Sequence, residues 1–171
     1  MNNTETEKLI ALAKSVSAEI KPLMLAGKFT ASAAESCTGG MVSALITEIP
    51  GSSEYFKGGV VSYTNEIKKA FLCVKKETLD KYTAVSEQTA REMAEGIRKG
   101  MKSTFGLSIT GLAGPGGASP GIPVGTVYMG LSSPQGTQVF HKVFGGDRAS
   151  VRAQAALFIL QKLKETLKNY R

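Results

Sequence analysis

Ser36, Cys37 and Thr38, followed at once by Gly39 and Gly40, place two hydroxyls, a thiol and two unhindered amides side by side in a 171-residue chain. At a helix N-terminus, unpaired N–H groups and the positive end of the dipole favour negative charge. A hydroxyl there suits nucleophilic attack with an oxyanion held on the amides, or a phosphate takes the same place. Ser and Thr are also ordinary N-caps, and the run matches neither G-x-S-x-G nor G-x-x-x-x-G-K-[ST]. On its own the stretch leaves a structural cap and a catalytic turn both open.

Three further features bear on chemistry. Lys68 and Lys69 fall in the first turns of a short helix that Thr64 or Asn65 caps, where they oppose the dipole. Such a setting depresses an amine's pKa, as a lysine general base requires, although solvated lysines are common. The run from Gly111 to Gly121 is glycine-rich and exposes backbone amides, which suits a nest for an anion or a planar ligand; a mobile surface loop is the alternative. Arg148 opens the last helix against its dipole, one turn from Arg152 on the same face, and so faces an anion or solvent. His141, the only histidine, would have to serve any Ser-His-Asp triad and has no local partner.

Periodicity supplies the elements that must hold these groups. Thr4-Glu5-Thr6-Glu7 reads as a capping box ahead of an apolar stripe from Leu9 to Met24, with Pro22 kinking or shortening the helix and Gly27 ending it. Strands are expected from Phe29 to Ala34, Phe56 to Tyr63 and Phe105 to Thr110, then a hairpin of Val124 to Leu131 and Thr137 to Phe144. Helices follow Gly40, Asn65 and Lys76; Ser86 caps a longer one, and Asp147 caps the last. Strands alternating with helices and closing on a hairpin specify an α/β fold, a three-layer α/β/α arrangement around a mixed β-sheet.

With 42% apolar and 20% charged residues, residues 1–171 suit one compact domain, residues 1–27 forming an N-terminal helix packed on it. Cys37 and Cys73 with one histidine fall short of a zinc set, so no metal is expected. No apolar run approaches the roughly 18 residues of a membrane span, and the polar opening is no signal peptide, which together predict a soluble, cytoplasmic chain with no membrane partner. The net charge of +7 invites nucleic acid. Without basic-aromatic interleaving to stack bases, a small anionic ligand accounts for it better.

Several of these segments together resemble the CinA carboxy-terminal domain family, whose characterised enzymes are nicotinamide-nucleotide amidases, also called nicotinamide mononucleotide deamidases. They are Ala34 to Gly40, Pro50 to Ser53, Ser62 to Lys68, Ala84 to Glu87, Thr110 to Gly117, Pro123 to Val127 and Gly146 to Arg148. They occur in the family's order and span nearly the whole chain. The resemblance implies a stand-alone amidase-type chain that hydrolyses nicotinamide mononucleotide to nicotinate mononucleotide and ammonia, in pyridine-nucleotide salvage, with no cofactor or metal. By the same resemblance Ser36 is the nucleophile, with Tyr63 and Lys68 assisting. Thr38, Gly39, Gly40, Asn65, Thr110, Gly111, Gly114, Gly117 and Arg148 fall to substrate binding. Two departures stand out: Ala33 where the family often has threonine, and Ile122 where it often has lysine, the second bearing on substrate affinity. The competing readings are a catalytically weak nucleotide-binding or regulatory paralogue and a nucleic-acid accessory protein. A homo-oligomer, by default a dimer, is expected.

Overall fold

Five strands form one mixed sheet between two helical layers in the computed structural model, which describes residues 3–118 and 121–170. Along the chain run α1 (Asn3–Ala26), β1 (Ala31–Glu35), α2 (Met41–Thr47), β2 (Phe56–Val61), α3 (Asn65–Leu72), α4 (Lys76–Tyr82) and α5 (Glu87–Gly100). Then come β3 (Phe105–Gly111), β4 (Thr126–Ser133), β5 (Gly136–Val143) and α6 (Arg148–Asn169). In space the strands lie in the order β2-β1-β3-β4-β5. β1 is parallel to β2 and β3, whereas β3, β4 and β5 are antiparallel. The three-layer α/β/α architecture expected from the sequence is the one observed.

The two faces of the sheet are built from different residues because side chains alternate along each strand. Ala31, Ala33, Phe105, Leu107, Ile109, Val127 and Met129 pack with α1, α2 and α6 into the larger core. The opposite face carries small and hydroxyl side chains, and α5 lies close upon it. Ser108 Oγ donates to the Ala90 carbonyl at 2.6 Å, and Ser32 Oγ to the Ile97 carbonyl at 3.3 Å. A Cβ on Gly96 of α5 would fall 1.8 Å from the Leu72 carbonyl oxygen. Only glycine lets α3 come this near, and α3 carries Lys68.

β1 leaves its carboxyl end towards α2 on one face, while β2 leaves towards α3 on the other. Neighbouring parallel strands whose loops depart in opposite directions leave a crevice beyond their carboxyl ends. Ser36 enters it from β1 and Lys68 from the helix after β2.

Some local expectations change. Pro22 lies inside α1, which runs on to Ala26; the proline costs the helix one amide donor, and the packing of Ile20, Leu23 and Met24 on the core carries the helix past it. Thr4 lies within α1 and does not cap it. Glu35 ends β1, with its carboxylate under the following turn. Of the 111–121 loop, Ser119 and Pro120 lie outside the described residues, as do Met1, Asn2 and Arg171. No helix among the described residues is long and apolar enough to cross a membrane.

Candidate active site

The ladder continues to the serine: the Ser36 amide donates to the Ile109 carbonyl at 2.9 Å, and the side chain is 9% exposed. Lys68 arrives from α3, whose N-cap is Thr64; its Oγ1 accepts from the Ile67 amide at 3.4 Å. Lys68 is 1% exposed, and Nζ donates to the Ser62 carbonyl at 2.6 Å and to Ser36 Oγ at 3.1 Å. No carboxylate among the described residues forms an ion pair with it. Burial therefore pulls its pKa below the usual 10.5, opposed by attraction to Cys37 and Glu66. The result is an amine that gives up its proton more readily than a solvated lysine and lies against a hydroxyl.

The turn after Ser36 differs from the sequence expectation. Glu35, 0% exposed, occupies the start of α2: Oε2 accepts from the amides of Gly40 and Val42, each at 3.0 Å, and Oε1 from the Ser43 amide at 2.8 Å and Ser43 Oγ at 2.7 Å. The helix start thus holds an internal anion, and the Gly40 amide is committed to it. The Gly39 amide donates back to the Ser36 carbonyl at 3.1 Å. Among the described residues the amides of Cys37 and Thr38 donate to no backbone carbonyl, and of the two residues it is Cys37 that lines the cavity. Arg152 Nη2 grips the Thr38 carbonyl at 2.7 Å. Burial pushes the Cys37 thiol up to about 11, with the Glu35 charge adding to the effect and its own amide, Arg152 and Lys68 opposing it. The thiol stays protonated and does not compete with Ser36.

Ser36, Cys37 and Lys68 line a cavity of about 240 Å³ together with Tyr63, Ala84, Val85, Thr110, Gly111, Leu112, Ala113, Gly114, Gly116 and Arg148. Thr110 Oγ1 donates to the Ala84 carbonyl at 2.6 Å, pinning one wall. Gly114 has φ +83° and would bring a Cβ to 2.7 Å from Val124, so the loop needs glycine there. Arg148 straps the mouth, Nη1 donating to the Gly114 carbonyl at 2.9 Å and Nη2 to the Tyr63 hydroxyl at 3.1 Å. Tyr63 is 59% exposed and is not interposed between Ser36 and Lys68, which meet directly.

The remaining expected positions lie outside the cavity lining. Thr38 is buried under the turn, Asn65 is exposed at the start of α3, and Gly39, Gly40 and Gly117 are not on the cavity wall. His141 stacks on Tyr128 across the hairpin, ring centroids 4.5 Å apart, and takes no part. A second hollow of about 340 Å³ at the β4–β5 turn carries no titratable side chain. Sequence reasoning missed Glu35 and Arg152 as builders of the turn. The available signal for Glu35 was a carboxylate closing a strand of small residues; for Arg152 it was the shared helical face with Arg148.

Comparison with known proteins identifies the family and the fold. The family model for the CinA C-terminal domain matches residues 13–167. A "CinA-like protein" of Thermotoga neapolitana is 46% identical over 146 residues, covering 85% of this chain and 36% of that protein. One from Kosmotoga olearia is 50% identical over 138 residues, covering 81% and 34%. The chain thus spans about a third of the length of the curated relatives it matches. Among solved structures, the competence damage-inducible protein A of Klebsiella pneumoniae superposes with TM-score 0.90 at 31% identity, covering 93% of this chain and 99% of that one. The competence/damage inducible protein CihA of Agrobacterium tumefaciens does so with TM-score 0.83 at 36% identity, covering 94% and 95%. The chain belongs to the CinA C-terminal domain family.

Proposed function

We propose that this chain is an amidohydrolase that converts nicotinamide mononucleotide to nicotinate mononucleotide and ammonia. The observation that carries the reading is the 3.1 Å contact between the Ser36 hydroxyl and a buried lysine that pairs with no carboxylate among the described residues. A serine hydroxyl is a weak nucleophile until a base takes its proton, and a depressed lysine is such a base. Ser36 Oγ attacks the carboxamide carbon as Lys68 Nζ accepts the hydroxyl proton. The oxyanion lies against the Cys37 amide, a donor being worth roughly 3 to 4 kcal/mol in comparable sites. Lys68 returns the proton to the nitrogen as the C–N bond breaks and ammonia leaves. A water molecule, giving its proton to the same amine, then attacks the ester, and Lys68 returns that proton to Ser36 Oγ as the bond to serine breaks and the carboxylic acid product leaves, ionising in water.

Arg148 is the group for the phosphate. At the mouth it is held, among the described residues, by two neutral acceptors, Tyr63 Oη and the Gly114 carbonyl. A phosphate makes stronger, charge-assisted bonds to a guanidinium and would displace them. In this reading Tyr63 serves the substrate side of the site and the loop from Gly111 to Gly116 encloses the ring and ribose. The test is ammonia release from nicotinamide mononucleotide without added metal, by the wild type and Ser36→Ala, alongside calorimetric binding of the product. Turnover lost in Ser36→Ala with binding kept supports the reading. Binding without turnover in the wild type would instead identify a regulatory nucleotide-binding protein.

A further inference from the structure

We propose that Glu35 is the positioning residue of this site: its carboxylate locks the chain from Ser36 to Gly40 in the one arrangement that brings Ser36 Oγ to Lys68 and sets Cys37 on the cavity wall. The inference rests on Ser36 being the nucleophile, as argued above, and not on which amide is cleaved. Consecutive strand residues point to opposite faces of a sheet. Glu35 therefore drops towards α2 while Ser36 rises towards α3, and the backbone between them is shared. A buried carboxylate without a cation is costly unless donors surround it. Here four do, all drawn from Gly40, Val42 and Ser43.

An ordinary cap is a Ser, Thr, Asp or Asn at the helix start making one or two bonds. At this helix the cap position is Gly40, with φ +94° and no side chain to offer, and the acceptor reaches in from five residues upstream. The carboxylate thereby ties the residue before the nucleophile to the first turn of α2 and closes the intervening chain into a ring. Arg152 holds the far side of that ring through the Thr38 carbonyl. Glutamine at position 35 has the same shape but offers one acceptor oxygen. Each carboxylate oxygen receives two donors, so the amide NH2 faces a donating N–H whichever way it is turned.

The test measures Ser36 directly with phenylmethanesulfonyl fluoride, which forms an Oγ–S bond as fluoride leaves and the hydroxyl proton passes to Lys68. Labelling rates are compared for the wild type, Ser36→Ala as blank, Glu35→Gln and Ser43→Ala, with kcat and KM for deamidation and the melting temperature measured in parallel. In folded Glu35→Gln we expect labelling and kcat each to fall roughly 100-fold, with KM within about threefold and the pH midpoint of labelling unmoved, since misplacement by an ångström costs about that much. Ser43→Ala, which removes one of the four donors, should lose about fivefold in labelling at unchanged KM, and it decides the matter if Glu35→Gln fails to fold. Labelling near the wild-type rate in either folded variant, a loss confined to KM, or a shifted pH midpoint overturns the proposal. If the wild type labels at Ser36 yet releases no ammonia, the deamidase reading fails and labelling still judges Glu35. A wild type that does not label at Ser36 overturns the inference itself.

Discussion

Replacing Lys68 by methionine keeps the length of the side chain and removes its charge, which makes the cost of burying that charge measurable. In the folded protein Nζ has two neutral partners, the Ser62 carbonyl and Ser36 Oγ, and burial lowers its pKa from the ordinary 10.5. Below the depressed folded value both states hold the proton, and the wild type bears the whole burial penalty. Between that value and 10.5 the unfolded chain binds a proton that the folded chain does not, so stability must rise with pH, by up to about 1.4 kcal/mol per pH unit. Methionine leaves the Ser62 carbonyl without its donor, costing about 1 to 3 kcal/mol at every pH. That offsets the two curves without changing their divergence. Urea unfolding of both proteins from about pH 6 to pH 10 should therefore show the wild type gaining on Lys68→Met as pH rises. A difference independent of pH, or one moving in the methionine variant's favour, would show that Lys68 is not desolvated in the native state.

Gly96→Ala drives a Cβ to 1.8 Å from the Leu72 carbonyl oxygen and should cost about 3 kcal/mol, whereas Gly100→Ala meets nothing within 4 Å and should add up to about 1 kcal/mol; urea unfolding of the pair decides, and equal effects would refute the close α3–α5 packing. Arg148→Ala should raise KM for nicotinamide mononucleotide about 10- to 100-fold while leaving the phosphate-free riboside within about threefold, because only the charge-assisted contact is lost. Equal losses on both substrates would remove Arg148 from the phosphate site. Iodoacetamide near pH 8 should label exposed Cys73 and spare buried Cys37, whose thiol is pushed up to about 11; preferential labelling of Cys37 in peptide maps would contradict the turn's electrostatics.

Local chemistry carried most of the fold into the sequence. Ser86 ahead of Ala90, Met93, Ala94 and Ile97 announces α5, and Thr64 and Asp147 cap their helices with bonds to Ile67 and Ser150. What the sequence leaves unread depends on distant approach. Thirty-two positions separate Ser36 from Lys68, and only parallel pairing of β1 with β2 makes the two neighbours. The Tyr63–Arg148 contact bridges eighty-five positions, and spacing along the chain does not show that the tyrosine meets the arginine at the mouth while the lysine meets the serine directly. Glu35 was hidden for a different reason. Its anion answers a helix start that the sequence, through Gly39 and Gly40, leaves open to a ligand, and linear spacing does not say which acceptor fills a set of orphan amides. Gly96 likewise looks like a defect in a helix until Leu72 is seen against it.

The central claim is that Lys68 is the base for Ser36, and the pH dependence of kcat/KM for ammonia release from nicotinamide mononucleotide tests it most directly. The account predicts activity that climbs with pH on a single limb whose midpoint lies below 10.5, in keeping with the lowered lysine pKa. In Lys68→Met that limb should disappear along with roughly 100- to 10,000-fold of the rate. A flat profile in the wild type, or a methionine variant within tenfold of it and carrying the same limb, would contradict the account.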